Sequence, residues 1–250
     1  MKQMSFVFTL VAAVLLFGAG ELAADEIRVA AASNFTNPIK SIAERFTDTT
    51  GHKVTLIFGS TGKHYAQIKN GAPFDAFFAA DVLRPELLEK ECVALSGSRF
   101  TYAVGKVVLW SPKIGYVDSA GKVLEQRGFR YLAIANPKLA PYGKAAQEIL
   151  QARKVWDVLQ GNIVRGEDIG QTFQFVKSGN AELGFVAYSQ IKRPGHPIEG
   201  SFWEIPQSLY TPIEQQAVLL KENTIAKDFL RFVKSEKSRN LIREYGYSVP

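Results

Sequence analysis

Apolar positions recur along the chain at two alternating periods. Between residues 38 and 51 they fall at Ile39, Ile42, Ala43 and Phe46. This helical spacing, with Thr36 or Asn37 as the cap, Pro38 in the first turn and Gly51 past the end, predicts a helix. Short apolar runs predict strands over 26–32, 54–58, 74–79, 107–110, 131–135, 183–187 and 216–220. Helical stretches lie between them. One covers 64–70 and stops at Gly71, and one covers 144–152 and is opened by Tyr142-Gly143. Another is opened by Ile169-Gly170-Gln171 and ends near Ser178-Gly179, and a helix pair closes the chain. Pro194-Gly195-His196-Pro197 reads as an exposed loop. Strand and helix alternate, which predicts an α/β fold with a mainly parallel sheet, and a second unit begins near Lys106.

The junctions between strand and helix share a chemistry. Ala32-Ser33-Asn34, Gly59-Ser60-Thr61-Gly62, Ala140-Pro141-Tyr142-Gly143 and Glu167-Asp168-Ile169-Gly170 are built of small or hydroxyl residues, two junctions in each half. A helix start exposes unpaired N–H groups and holds anions. In open α/β sheets ligands sit beyond the carboxyl ends of strands, so a cleft between two lobes can receive donors from both sides. The second junction, FGSTGK, invites a nucleotide reading and fails it on spacing. A phosphate loop needs a glycine five positions before Gly62 and a hydroxyl residue after Lys63; those positions hold Ile57 and His64.

Composition narrows the class. The 250 residues suffice for one large domain or two smaller ones, and 46% hydrophobic with 22% charged residues is globular usage. The net charge of +6 is spread along the chain with no run of five or more basic residues, unlike a nucleic-acid-binding block. The N-terminus has a short charged start, an apolar run over 5–19 and the small-residue exit Leu22-Ala23-Ala24. This predicts an export signal cleaved near Ala24. Cys92 is the single cysteine, so no internal disulfide is expected; it follows Glu91 at a predicted helix end, where burial is expected.

Beyond these features, specific stretches resemble the periplasmic molybdate-binding proteins of ABC transporters. They are Val29-Ala30-Ala31-Ala32-Ser33-Asn34-Phe35, Phe58-Gly59-Ser60-Thr61-Gly62, Gly71-Ala72-Pro73-Phe74-Asp75, Ile134-Ala135-Asn136-Pro137, Ala140-Pro141-Tyr142-Gly143, Glu182-Leu183-Gly184-Phe185-Val186-Ala187 and Tyr245-Gly246-Tyr247. The resemblance implies a two-lobed, periplasmic-binding-protein-like (type II) α/β fold. Each lobe is then a mixed, mainly parallel sheet flanked by helices, with the ligand in the cleft. Residues 25–105 and 215–250 form one lobe and 106–214 the other, hinged near Lys106 and Gln215. The oxyanion pocket it implies falls on Ser33, Asn34, Thr61, and the backbone N–H groups of Tyr142 and Ile169, with Ser60 as a further candidate. Some members add a tyrosine hydroxyl at the end of the 183–187 strand. Here Ala187 holds that position and Tyr188 follows it; on a continued strand Tyr188 faces the other way, and packing is its alternative role. The cargo implied is molybdate or tungstate and the partner a membrane permease. The protein is expected to be a monomer in the periplasm, with no cofactor, no metal held directly by side chains, no nucleic acid and no enzymatic activity.

Rival readings remain open on the residues alone. An exported hydrolase would draw on Ser33 or Ser60, a histidine among His52, His64 and His196, and Asp75 or Asp81, but no G-x-S-x-G elbow surrounds a serine. His64 is expected on the surface of a first helical turn, and the two aspartates as caps. Sulfate, phosphate or an iron–anion complex would keep the lobes and change the cargo. A ligand-sensing regulator would need a DNA-binding helix pair where the export signal stands.

Overall fold

The computed structural model describes residues 26–250. The export-signal reading lies outside these residues. Two five-stranded sheets share one plan. In the first, β1 (Glu26–Ala32) runs parallel to β2 (Lys53–Gly59) and β3 (Ala76–Phe78). Beyond β3 the sheet continues with β10 (Ile213–Leu219), antiparallel to both β3 and the edge strand β4 (Phe100–Gly105). In the second, β6 (Leu132–Ala135) runs parallel to β7 (Ile163–Gly166) and β8 (Leu183–Ala187). There β5 (Val107–Ser111) lies antiparallel between β8 and the edge strand β9 (Ser201–Glu204). The chain crosses between the sheets at Lys106, alone between β4 and β5, and again between β9 and β10.

Helices cover the sheets. Around the first pack α1 (Thr36–Thr50), α2 (Thr61–Lys69), α3 (Leu83–Lys90), α8 (Thr224–Val233) and α9 (Glu236–Glu244). The second carries α4 (Val123–Gln126), α5 (Pro141–Ala152), α6 (Ile169–Lys177) and α7 (Tyr188–Ile191). The predicted apolar stripe of α1 is the buried one: Ile39, Ile42, Ala43 and Phe46 face the core, with Phe46 edge-on to Phe229 at 5.2 Å between ring centroids. Burying each such large side chain contributes about 1.5–3 kcal/mol. Gly51 ends α1 at φ +77°, the left-handed position that glycine adopts without penalty. Neither predicted cap acts as one: Thr36 is the first residue of α1 and its hydroxyl donates to the Ser33 carbonyl at 2.9 Å.

Three strands escaped the periodicity: β4, β7 and β9. All are edge strands of their sheets, β7 and β9 only partly buried, so no clean apolar run marks them. β10 begins three residues before its predicted start because Glu214, exposed, and Gln215, buried, interrupt the apolar pattern. α2 and α5 each begin three residues early, which draws Gly62 and Gly143 into first helical turns. Gly143 has a packing reason to be glycine. A Cβ there would stand 2.2 Å from the Ala135 carbonyl oxygen.

Candidate functional site

Between the two sheets lies a cavity of about 10 Å³, the scale that holds a single water molecule. Its wall comes from five segments: Ala32, Ser33 and Asn34 after β1; Gly59, Ser60 and Thr61 after β2; Ala80 after β3; Ala140, Pro141 and Tyr142 at the start of α5; and Asp168 and Ile169 at the start of α6. The structure thus gathers Ser33, Asn34, Ser60, Thr61, Tyr142 and Ile169 from segments far apart in sequence. Tyr188 is not in this wall. The strand stops at Ala187 and α7 begins at Tyr188, which packs beside Phe202 under the Lys106 ammonium.

Three helix starts point donors at the cavity, and local bonding decides which ones. In α2 the Ser60 hydroxyl accepts from Lys63 N at 3.3 Å, and Gly62 N donates to the Leu139 carbonyl at 2.8 Å. The N–H of Thr61 remains. In α5 the first residue is Pro141, which has no N–H. Gly143 N and Lys144 N both donate to the Ala140 carbonyl, at 2.9 and 3.1 Å, and the N–H of Tyr142 remains. In α6 the Asp168 carboxylate caps the helix, accepting from Gly170 N at 2.6 Å and Gln171 N at 2.9 Å. The N–H of Ile169 remains. These three N–H groups have no protein acceptor among the described residues, and the positive ends of three helix dipoles converge where they point.

Hydroxyls complete the donor set. Thr61, 1% exposed, accepts from Ala80 N at 3.0 Å through Oγ1, which leaves its own hydrogen for a guest. Ser33 donates to the Gly59 carbonyl at 3.1 Å, so a guest must compete for that hydrogen. Asn34 lines the cavity with its side chain engaged elsewhere. Its side-chain amide is committed to Gln215 Oε1 at 2.7 Å and Tyr247 Oη at 3.0 Å, so it forms wall rather than offering its amide to the cavity.

No lysine or arginine lines the cavity. Lys63, beside the loop, forms an ion pair with Glu167 at 2.7 Å, joining α2 to the segment before α6 across the cleft rim. The Glu167 carboxylate raises the Lys63 pKa. Arg84 likewise reaches the Lys138 carbonyl at 3.3 Å. Asp168 is the one charged wall residue, and its capping bonds spend its charge on the helix. Its position before α6 was readable as a cap, whereas Ala80 has no side-chain donor or acceptor to mark it as wall.

His64 lies in the core and not on the helix surface: it is 1% exposed, with Phe74 and Phe77 edge-on to its ring. Burial lowers its pKa. Its ring nitrogens meet the Ala31 carbonyl at 3.3 Å and Gln67 Oε1 at 3.1 Å, so it supports the loop from beneath and pairs with neither Ser33 nor Ser60. Asp75 accepts from Arg28 N at 2.7 Å, and Asp81 accepts from Arg84 N at 3.0 Å in the turn that opens α3. The serine, histidine and aspartate residues weighed for hydrolysis are therefore dispersed. Among the described residues no group of three His, Cys, Asp or Glu is placed to hold a metal ion. Cys92 is exposed, against expectation, because at φ +55° it turns the chain out of α3.

Comparison with known proteins agrees with this geometry. Residues 27–248 match the family model for bacterial extracellular solute-binding protein. The molybdate-binding protein ModA of Azotobacter vinelandii is 50% identical over 249 residues, covering 97% of this chain and 99% of that protein. ModA of Rhodobacter capsulatus is 48% identical over 229 residues, covering 90% of this chain and 89% of the relative. The solved structure of the Azotobacter vinelandii periplasmic molybdate-binding protein superposes with a TM-score of 0.87 at 44% identity, covering 90% of this chain and 99% of that one. With two sheets joined by two crossings and a donor-lined cavity between them, the chain belongs to the bacterial extracellular solute-binding proteins.

Proposed function

We propose that this protein captures molybdate, or the near-isosteric tungstate, in the periplasm and presents it to the permease of an ABC transporter. The observation that carries this reading is the cavity itself, which is small, walled without cations, and served by one unpaired N–H from each of three helix starts. The relatives' printed names support the choice of molybdate. Thr61, Tyr142 and Ile169 donate through backbone N–H groups, Thr61 and Ser33 through hydroxyls, and Asn34 and Ser60 shape the wall. A site made of donors suits an oxyanion that carries no hydrogen. Protonated phosphate would bring a donor against a donor, at a cost of about 1–3 kcal/mol. Residues 25–105 with 215–250 form one lobe and 106–214 the other, and the chain works as a monomer without contacting nucleic acid. Closure of the lobes around the oxyanion shifts the population toward the form the permease recognises. The N-terminal signal directs export and is cleaved near Ala24.

Calorimetric titration of residues 25–250 with molybdate, tungstate, sulfate and phosphate tests the reading. Tight binding of the first two, with no heat from the others, is expected. Tight sulfate or phosphate binding would keep the fold and overturn the cargo. A folded protein that binds none of the four would overturn the site.

A further inference from the structure

The second helix start, that of α5, is tied to the opposite sheet by its own side chain. The Tyr142 ring runs away from the cavity and ends with its hydroxyl accepting from Gln215 Nε2 at 3.2 Å. Gln215 lies on β10, in the first sheet, and is fully buried. Its other amide atom, Oε1, accepts from Asn34 Nδ2 at 2.7 Å and from the Tyr102 hydroxyl at 2.9 Å. The same glutamine therefore grips α5, which carries the Tyr142 N–H, and Asn34, which is wall from the first sheet. Backbone architecture makes room for this contact. Gly105, the last residue of β4 before the crossing at Lys106, would with a Cβ stand 2.0 Å from the Tyr142 hydroxyl and 2.5 Å from Gln215 Nε2.

We propose that the Tyr142–Gln215 bond across the lobes sets the width of the oxyanion cavity, and that Gln215 is a specificity-determining positioning residue although it does not line that cavity. The inference rests on the oxyanion reading above. A cavity walled by two lobes has no fixed radius unless something beyond the guest fixes the distance between them. Of the other contacts near the cavity, the Lys63–Glu167 pair is half-exposed on both sides, and such pairs are weak; the bond from Gly62 N to the Leu139 carbonyl at 2.8 Å ties α2 to the loop before α5 rather than to α5 itself. The Gln215 amide is different. It is buried, bonded on both its atoms, and next to a crossing, where small movements of the lobes pivot. Its bond length is transmitted along the rigid ring of Tyr142 to the N–H at the start of α5. Burial keeps the phenol protonated by pushing its pKa well above the ordinary value, so the spacer holds at any working pH. Losing the bond removes the spacer and lets α5 settle closer to the first sheet. A smaller oxyanion then makes contacts it could not make before, and a larger one loses some of its own.

The test compares Tyr142→Phe, Gln215→Leu and Tyr102→Phe with the wild type, reading the ratio of sulfate to molybdate dissociation constants by calorimetry and the melting temperature alongside. Tyr142→Phe keeps the backbone N–H at the cavity and removes the hydroxyl's contacts to the first lobe, the bond from Gln215 and the neighbouring Tyr247 hydroxyl. It is expected to lower the ratio about fivefold to tenfold, the scale of one neutral hydrogen bond, and Gln215→Leu to lower it in the same direction. Tyr102→Phe removes a hydroxyl from the same glutamine within the first sheet, without crossing the lobes. It should lower the melting temperature and leave the ratio at the wild-type value. Equal weakening of both anions by Tyr142→Phe, or an equal change of ratio in Tyr102→Phe, would overturn the inference and leave a purely structural network. If Gln215→Leu fails to fold, the two tyrosine variants decide alone. Wild-type protein that binds no molybdate would overturn the oxyanion reading instead, so the two failures are distinguishable.

Discussion

Thr61 performs two tasks with one oxygen. Oγ1 accepts the Ala80 N–H at 3.0 Å inside a wall that is almost fully buried, and its hydrogen is left for the guest. Thr61→Val keeps the shape and loses both. Molybdate binding is expected to weaken by about 1–3 kcal/mol, while Thr61→Ser stays near wild type; calorimetry of the two variants checks this, and equal affinities would remove the hydroxyl from the site. At this scale the sequence was partly legible. A hydroxyl residue between small neighbours at a strand end marked Thr61 and Ser33 as candidates, and both stand in the cavity wall. His64 was misjudged for a physical reason. Its position in the first turn is the same whether the helix presents that face to water or to Phe74 and Phe77, and only the packing of α2 against the first sheet chooses. The side-chain partners of Asn34 were not legible, since Gln215 and Tyr247 lie 181 and 213 residues away.

Among the elements, the helix starts matter most, and each is arranged to spend every early donor but one inside the protein. In α6 the spending is done by a charge. Asp168→Asn retains an oxygen to accept from Gly170 and Gln171 but removes a negative charge from the wall of an anion site. Molybdate affinity is expected to rise by about 1–4 kcal/mol, the range between two unit charges a few ångströms apart in water and near a protein surface. Fold stability is expected to fall by about 0.3–1 kcal/mol as the charge–dipole contact at the helix start is lost. Calorimetry and thermal melts read the two effects separately; affinity that falls with stability would show that the carboxylate is needed for the geometry. Central strands and the amphipathic helix α1 were legible because burial on one or both faces leaves a period in the sequence. The starts of α2 and α5 were set three residues late because Gly62 and Gly143 read as turn residues. Their absent side chains answer to close neighbours, the Leu139 and Ala135 carbonyls, and not to local turn geometry.

For the whole molecule, the contacts between the lobes include a buried set around Gln215, the Ser189 hydroxyl donating to the Asn34 carbonyl at 2.9 Å, the backbone bond from Gly62 N to the Leu139 carbonyl, and an exposed set at the rim. The rim pair Lys63–Glu167 is half-exposed, so its contribution to closure should be modest and screened by salt. Glu167→Gln is expected to weaken molybdate binding slightly at about 0.02 M salt and to match the wild type at about 0.5 M, where the Debye length is only a few ångströms. Titrations at both ionic strengths test this, and a deficit that persists at high salt would assign Glu167 a structural role. From the sequence alone came the alternation of strand and helix, the anion-holding character of the junctions, the absence of a phosphate loop or nucleophile elbow, and the resemblance that pointed to a small oxyanion. Those properties are carried by neighbours in the chain, where period, capping chemistry and spacing act over a few residues. Tertiary structure alone decided that the junctions share one cavity, that Tyr188 stays out of it, that Lys63 clasps Glu167 and that Gln215 joins the lobes. Each of these depends on where the two crossings at Lys106 and before β10 bring distant segments, and no local preference of the chain encodes that distance.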